Sequence, residues 1–359
     1  MASKSSSVSN SSERVLLVQT AFLGDVVLST PAINAARQLH PHAELYLLTT
    51  PVAAPLFQND PRLTRVLTDD KRKTSKGIFG LLRLRKELRS YRFNRAYALQ
   101  RSIRTGLLLW LAGIPRRIGF RGAGGSIFYS ERRSSLNRPH AVERHCALFD
   151  ESTTAPGVPS VANDDRLSIP SIPDEDLHPE IRAALAFGKP PIVLIPGSAW
   201  ATKQWSVERY AELALRLHNR GFEVVVAGAP SERALGDQIA VGAPVKNLVG
   251  IGGVRGLAGL IERAGVLVAN DSAPLHIAAA YGTSTVAIFC STTPNFGFTP
   301  WRTESIVLEV QGLPCKPCGR HGRRSCPLGT NACMNNLPAG IVEKAVLHLV
   351  ENSSVDGRE

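Results

Sequence analysis

Apolar residues along this chain fall into short solid blocks, separated by longer stretches in which they recur at helical spacing. Arg14–Gln19 reads as a buried strand, followed by a loop at Thr20–Gly24 and a helix from about Asp25 to Leu39. Strands are predicted next at Ala43–Thr49, Arg65–Leu67 and Arg95–Leu99. A helix starting near Val52 and a basic amphipathic helix at about Gly77–Ser90 lie between them. The pattern then restarts. Strands at Ile192–Ile195, Glu223–Ala227, Asn247–Leu248, Val266–Ala269 and Thr285–Phe289 alternate with helices at about Val207–Arg220, Ser231–Val241, Val254–Ala264 and Ala273–Tyr281. A last helix covers roughly Pro338–Glu351. Alternation of this kind predicts α/β architecture with parallel sheets and right-handed crossovers.

From Glu151 to Pro191 the composition shifts to Ser, Thr, Pro and Asp with weak periodicity, a linker signature with room for one short helix near Pro179–Phe187. A chain of 359 residues exceeds what one core usually organises. The expected division is a disordered tail at 1–13, an N-terminal domain at 14–170, a linker at 171–190, a second domain at 191–337, and a terminal helix and tail at 338–359. Two doubly wound halves imply a cleft, with ligands held outside the carboxyl ends of the strands. The loops that matter are therefore Thr20–Asp25, Pro196–Trp205, Ala227–Glu232 and Asn270–His276.

Charge narrows the company the protein keeps. The net charge is +12, from 42 Lys and Arg against 30 Asp and Glu, which favours nucleic acid, an anionic membrane surface or a phosphorylated substrate. No apolar run approaches the roughly 20 residues needed to span a bilayer, and no secretory signal is visible, so a cytoplasmic protein able to rest on a membrane is expected. In that setting the six cysteines read as thiols or metal ligands before disulfides.

Four segments can carry chemistry. In Val266–Gly282 a strand meets a small-residue helix, with Ser272 suited to the N-cap, Pro274 to the first turn and Gly282 to the C-terminal stop. Such a helix start is a ready diphosphate site, and His276 adds a donor. The competing reading is a capped core helix with a satisfied histidine. In Val193–Trp205, Ser198 and Lys203 suit phosphate oxygens, although the P-loop spacing is absent and a solvated lysine is the plain alternative. Asp25 fits a helix N-cap and equally a proton-accepting carboxylate facing the cleft. Glu232, after a tight turn at Ala227–Ser231, suits a ribose diol or simply a helix opening.

Together these segments resemble the ADP-heptose:lipopolysaccharide heptosyltransferase family. The motifs are Gly24-Asp25-x4-Thr30-Pro31, Pro196-Gly-Ser-x4-Lys203-x-Trp205, Ala227-Gly-Ala-x2-Glu232 and Asn270-Asp-Ser-x3-His276, in that order over nearly the whole chain. Arg116-Arg-Ile-Gly119 also fits, and the late cysteines resemble the heptosyltransferase II branch. The resemblance implies a GT-B fold with two Rossmann-like domains, the acceptor on the first and ADP-heptose on the second. It further implies inverting transfer with no metal needed for catalysis. By the same resemblance Asp25 is the general base, and Ser198, Lys203, Glu232, Asp271, Ser272, Ala273 and His276 bind the donor. The activity implied is transfer onto the inner core of lipopolysaccharide, with the second heptose favoured. Addition of the first or third heptose, or use of another nucleotide sugar, is the alternative. Where the family often has Gly after its Asp-Ser/Thr pair, this chain has Ala273-Pro274, and Pro274 has no N–H to give a phosphate.

Lys71, Arg72, Lys73 and Lys76, then Arg83, Arg85, Lys86 and Arg89, surround an amphipathic helix whose expected apolar face is Ile78, Leu81, Leu82 and Leu88. They suit an anionic lipid-linked acceptor or the inner face of the cytoplasmic membrane, or form a solvated face. Lys73, Arg101 and Arg104 are the expected acceptor contacts. Cys315, Cys318, Cys326 and Cys333 are spaced C-x2-C-x7-C-x6-C, near structural zinc spacing, with reduced thiols or disulfides as alternatives. Asp174-Glu175-Asp176 matches a D-x-D metal motif but follows no strand and reads as chance. A basic nucleic-acid-binding protein with a zinc module would leave the two α/β halves unexplained, so no nucleic-acid partner is expected.

Overall fold

The structure, a computed structural model, describes residues 13–71, 73–150, 164–186 and 188–356. The tail expected before residue 13, Arg72 of the basic stretch, residues 151–163 of the Ser/Pro-rich segment, Phe187 and residues 357–359 lie outside the described residues.

Strands β1 (Arg14–Val18), β2 (Glu44–Thr49), β3 (Arg65–Thr68), β4 (Arg95–Ala98), β5 (Arg116–Phe120) and β6 (Glu131–Arg133) form one parallel sheet in the order β3-β2-β1-β4-β5-β6. Strands β7 (Ile192–Ile195), β8 (Val224–Val226), β9 (Lys246–Asn247), β10 (Val266–Asn270), β11 (Thr285–Phe289) and β12 (Ser305–Glu309) form a second, ordered β12-β11-β10-β7-β8-β9. Counted within its own half, the second sheet repeats the first. Leu16 pairs with Tyr46 on one side and Ala96 on the other, and Leu194 with Val226 and Val268. Val15–Val18 and Ile192–Ile195 are buried throughout, as parallel strands covered on both faces must be. The strand order reverses between β1 and β4 and between β7 and β10, and at such switch points adjacent loops diverge and open a crevice. The two doubly wound domains face each other across a cleft, in agreement with the GT-B expectation.

Helices cover both sheets. In the first half they are α1 (Leu23–Leu28), α2 (Thr30–Leu39), α3 (Gly77–Ser90), α4 (Ile103–Leu111) and α5 (Ala141–Cys146), and α6 (Pro179–Leu185) lies between the halves. In the second they are α7 (Val207–Asn219), α8 (Arg233–Gly242), α9 (Gly253–Glu262), α10 (Ala273–Tyr281), α11 (Ala332–Asn335) and α12 (Ala339–Asp356). Val342, Val346 and Leu349 of α12 join the core under β10 and β11. No helix among the described residues is long and apolar enough to cross a membrane.

Several expectations need correction. The single helix expected from Asp25 to Leu39 is two, broken at Ser29, whose φ of −93° and ψ of 0° leave the helical region. Pro31 cannot donate to the carbonyl of Val27, and its ring crowds that turn. Thr30 Oγ1 takes the bond instead at 2.8 Å. The helix expected near Val52 is a single 3₁₀ turn, Ala54–Phe57. Helix α3 has the predicted span, but its buried residues are Leu81, Leu84 and Leu88, whereas Ile78 and Leu82 face solvent. Strands β5, β6 and β12 were not anticipated, and of these β6 and β12 are sheet edges. Their edge position tolerates charge-rich sequence such as Glu131-Arg-Arg, which carries no strand periodicity. The carboxylates of Asp174 and Asp176 pair with Arg263 and Arg255 and so fasten the linker to α9, which accounts for the D-x-D pattern without a metal.

Candidate active site

The loops after β1, β7, β8 and β10 converge on a cleft of about 310 Å³ whose lining includes Asp25, Ser198, Lys203, Glu232, Asp271, Ser272, Ala273 and His276. All eight residues expected from the sequence as base or donor contacts are therefore brought together at the two switch points. Lys73, Arg101 and Arg104 are not among the lining residues. Arg104 is turned inward, held by Asp69 at 2.6 Å and by the Ser75 carbonyl at 2.8 Å. Arg101 donates to Ser135 Oγ at 2.7 Å and lies over the Phe120 ring. Lys73 is exposed beside the turn at Asp70.

Asp25 sits in the first turn of α1, where Phe22, not Asp25, occupies the N-cap. The expected cap role is corrected accordingly: the carboxylate reaches back to accept from the Phe22 backbone N–H, as the third residue of a helix does in a capping box. Burial pushes its carboxyl above the ordinary value of 3.8. The Phe22 N–H and the charges of His321, Lys203 and Arg144 oppose that rise. A carboxylate kept at raised basicity yet facing a cleft is suited to accept a proton.

The opposite wall is built around Asn270, fully buried at the end of β10. Its Nδ2 donates to the Pro196 carbonyl at 2.8 Å, and its Oδ1 accepts from the Trp205 N–H at 2.9 Å. One side chain thus fixes the β7 loop against the β10 loop. Lys203, in that loop, reaches Asp271 Oδ2 at 2.7 Å, and the same oxygen accepts from Thr292 Oγ1 at 2.6 Å. The ammonium is aimed by Asp271 and is not the solvated lysine of the alternative reading. Ser198 Oγ accepts from the Trp200 N–H, which leaves its own proton for a ligand.

Helix α10 begins at Ala273 with Ser272 at the N-cap and ends on Gly282 in the left-handed region, as expected. Ser272 does not cap through its side chain, however. Its backbone is extended, as an N-cap's usually is, but its hydroxyl donates back to the Asn270 carbonyl at 3.1 Å. His276 is buried one turn in, and its Nδ1 has no hydrogen-bond partner. Burial lowers its pKa to about 4, so the ring is neutral at pH 7. This unpartnered nitrogen lies one turn into a nine-residue helix whose first N–H groups have no partner within the helix, so both can bond a bound group. Glu232 accepts from the Ala229 N–H at 2.8 Å, and burial raises its pKa. Its carboxyl lies so close to Gly197 that a β-carbon there would stand 1.9 Å from Cδ, so a side chain at 197 would displace the carboxyl.

The six cysteines are free, and among the described residues no group of three or more His, Cys, Asp or Glu side chains is arranged to hold a metal ion. Cys315, Cys318 and Cys326 lie near enough to Cys333 for their charges to act on its thiol. Cys333 is buried behind the segment, and its thiol is pushed up to about 11 by that burial and by the other three. Sequence reading passed over Asn270 as a structural staple and Thr292 as the second partner of Asp271. It also missed Arg320 and His321 as cleft residues. Arg320 and His321 sit in a run of glycines and basic residues, Gly319 to Arg324, that carries no local mark of a cleft.

The sequence profile of glycosyltransferase family 9 (heptosyltransferase) matches residues 81–328. Lipopolysaccharide heptosyltransferase 2 of Salmonella typhimurium is 26% identical over 305 residues, covering 79% of this chain and 84% of that one. Lipopolysaccharide heptosyltransferase 1 of Pseudomonas aeruginosa is 27% identical over 317 residues, covering 85% and 86%. The solved structure of the E. coli heptosyltransferase WaaC with ADP superimposes with a TM-score of 0.70 at 21% identity, over 94% of this chain and 99% of that one. Two parallel sheets facing across a cleft, with a family match over most of the chain, lead to one conclusion: the protein belongs to glycosyltransferase family 9 and is a heptosyltransferase.

Proposed function

We propose that this enzyme transfers heptose from ADP-heptose onto the inner core of lipopolysaccharide, adding the second heptose, by a single displacement with inversion. The observation that carries the reading is the shared cleft. Asp25 lines it from the first domain, while Lys203, the start of α10 and the unpartnered His276 line it from the second. A sugar hydroxyl is a poor nucleophile at neutral pH. A positioned carboxylate removing its proton as the C–O bond forms contributes about 10²–10⁴-fold. The leaving ADP gains negative charge, which Lys203 and the partial positive charge of the α10 N-terminus stabilise in place of a metal ion. One carboxylate and no covalent intermediate give inversion.

Ser198 and Lys203 hold the diphosphate, Glu232 the ribose diol, and Ala273 lets the sugar approach the helix start. The WaaC complex with ADP supports a donor of this class. Relatives named for the first and the second heptose are equally similar, so the choice of step rests on the resemblance of the cysteine segment to the second branch. The product leaves on a lipid-linked acceptor, and the basic face of α3, with Arg83, Lys86 and Arg89 exposed, suits the anionic inner face of the cytoplasmic membrane. Turnover of ADP-heptose against core acceptors carrying no, one or two heptoses, with and without chelator, tests this. Transfer confined to the one-heptose acceptor and indifferent to chelator is expected. Preference for another acceptor overturns the step, and turnover of UDP-sugars in place of ADP-heptose overturns the donor.

A further inference from the structure

Two residues lining the cleft come from a segment that the reaction above does not use. Arg320 and His321 belong to the cysteine-bearing stretch after β12, yet they line the same cleft as Asp25 and Lys203. They sit between Gly319 and Gly322, at φ of +104° and +82°, a region glycine enters at no steric cost. The chain therefore makes a narrow out-and-back excursion with these two side chains at its tip. Its base is tied down. The Arg323 N–H donates to Thr202 Oγ1 at 2.8 Å, the Thr202 N–H donates to the Arg323 carbonyl at 3.2 Å, and the Cys318 N–H donates to the Ser291 carbonyl at 2.8 Å. Thr202 precedes Lys203, and a β-carbon on Gly322 would stand 3.1 Å from Lys203 Cγ. The excursion is thus fixed to the loop that carries the donor-side lysine.

Across the cleft Arg144 of α5 donates to the Pro139 carbonyl at 2.6 Å, and its guanidinium lies over Phe298, itself a lining residue. The charges of Arg320 and Asp25 both act on Arg144, and those of His321, Lys203 and Arg144 act on Asp25. Among the described residues neither Arg144 nor Arg320 forms an ion pair with a carboxylate within 4.0 Å. Two guanidiniums and an imidazole share the single cleft carboxylate of Asp25, which leaves an excess of positive charge that an anion offsets. The donor diphosphate already has Lys203 and the α10 start.

We propose that Arg144, Arg320 and His321 form a second anion site, which holds a phosphate or carboxylate of the acceptor beside the hydroxyl that Asp25 deprotonates. The site spans both domains, so an acceptor bound there is seated only where the two walls meet. It rests on the glycosyl-transfer reading above, and its test is a binding measurement, so the two can fail separately.

Arg320→Ala and His321→Gln change exposed positions and leave the core intact. Titration of the ADP-loaded protein with a one-heptose inner-core oligosaccharide is expected to show affinity lower by about tenfold in Arg320→Ala, as for a lost charge-assisted hydrogen bond. ADP affinity should stay unchanged in both variants. Repeating the titration with the oligosaccharide dephosphorylated, and with its carboxyl groups reduced, identifies the anion: the treatment that abolishes the difference between wild type and variant removed the recognised group. Unchanged acceptor affinity in both variants, or a loss of ADP affinity of the same size, overturns the proposal. Acceptor binding that depends on Arg320, without heptose transfer by the wild type, would instead overturn the reaction and keep the site.

Discussion

Gly24 lies against His276 so closely that a β-carbon at position 24 would stand 2.9 Å from His276 Cδ2 and 3.4 Å from Ala273 Cα. The first turn of α1 and the first turn of α10 therefore touch through a missing side chain, and the two halves of the cleft are set at that distance by a hydrogen atom. Because His276 is buried, its ring has little room to yield. Gly24→Ala is expected to push Asp25 away from the donor wall. Transfer should fall by at least about tenfold, with up to ~1–3 kcal/mol of overpacking cost. Steady-state kinetics beside denaturant unfolding checks this, and a fully active Gly24→Ala enzyme contradicts it.

Asp25 is expected to show a conflict between activity and stability. Its carboxyl is raised by burial, so the folded state favours the protonated form. The stability it contributes is complete below the ordinary carboxylate value and is lost as pH rises through the raised one, so at pH 7 the ionised group is a net cost. Asp25→Asn should abolish transfer by at least about 10², retain ADP binding, and raise Tm at neutral pH but not at pH 3. The acid limb of the wild-type kcat/KM profile should lie above the usual aspartate range.

Lys203 and Asp271 are both largely buried, with side chains 14% and 8% exposed, and 2.7 Å apart. Removing one partner of such a pair strands the other. Lys203→Ala should weaken ADP binding by about tenfold or more. Asp271→Asn should weaken it less, because the ammonium remains but is no longer aimed. A double-mutant cycle on ADP affinity should show strong coupling, and additive effects would mean that Asp271 does not position Lys203.

His145 and His276 are buried and hold their protons only near pH 4, against an ordinary value of 6.5. In the unfolded chain both protonate from about pH 6.5 downward, so the unfolded state binds more protons and stability falls as pH drops from 6.5 to about 4. Tm measured across that window should decline. The decline should be shallower in His145→Gln, which keeps a polar group near the Leu28 carbonyl that His145 Nδ1 now meets at 3.2 Å.

The alternation of solid apolar blocks with helical spacing was enough to read two parallel α/β halves, because strands buried on both faces leave an unbroken hydrophobic run. The corners at Asp25, Lys203, Glu232 and Asp271–His276 were legible for a related reason. Each follows a strand, and in an open parallel sheet only those loops can meet a ligand. Ala273, Pro274 and Gly282 also marked the ends of α10 by their backbone preferences alone.

What sequence could not decide was which groups meet across hundreds of residues. Arg104 reads as a free cation until Asp69 is seen beside it, and Ser272 reads as a side-chain cap until its hydroxyl is seen on the Asn270 carbonyl. Arg320 and His321 lie nearly 300 positions from Asp25, and no local pattern marks them as cleft residues. Periodicity reports burial within one element, so it fixes elements and their faces. Ion pairing, side-chain direction and the approach of Gly24 to His276 depend on how separate elements pack, and only the assembled chain contains that information.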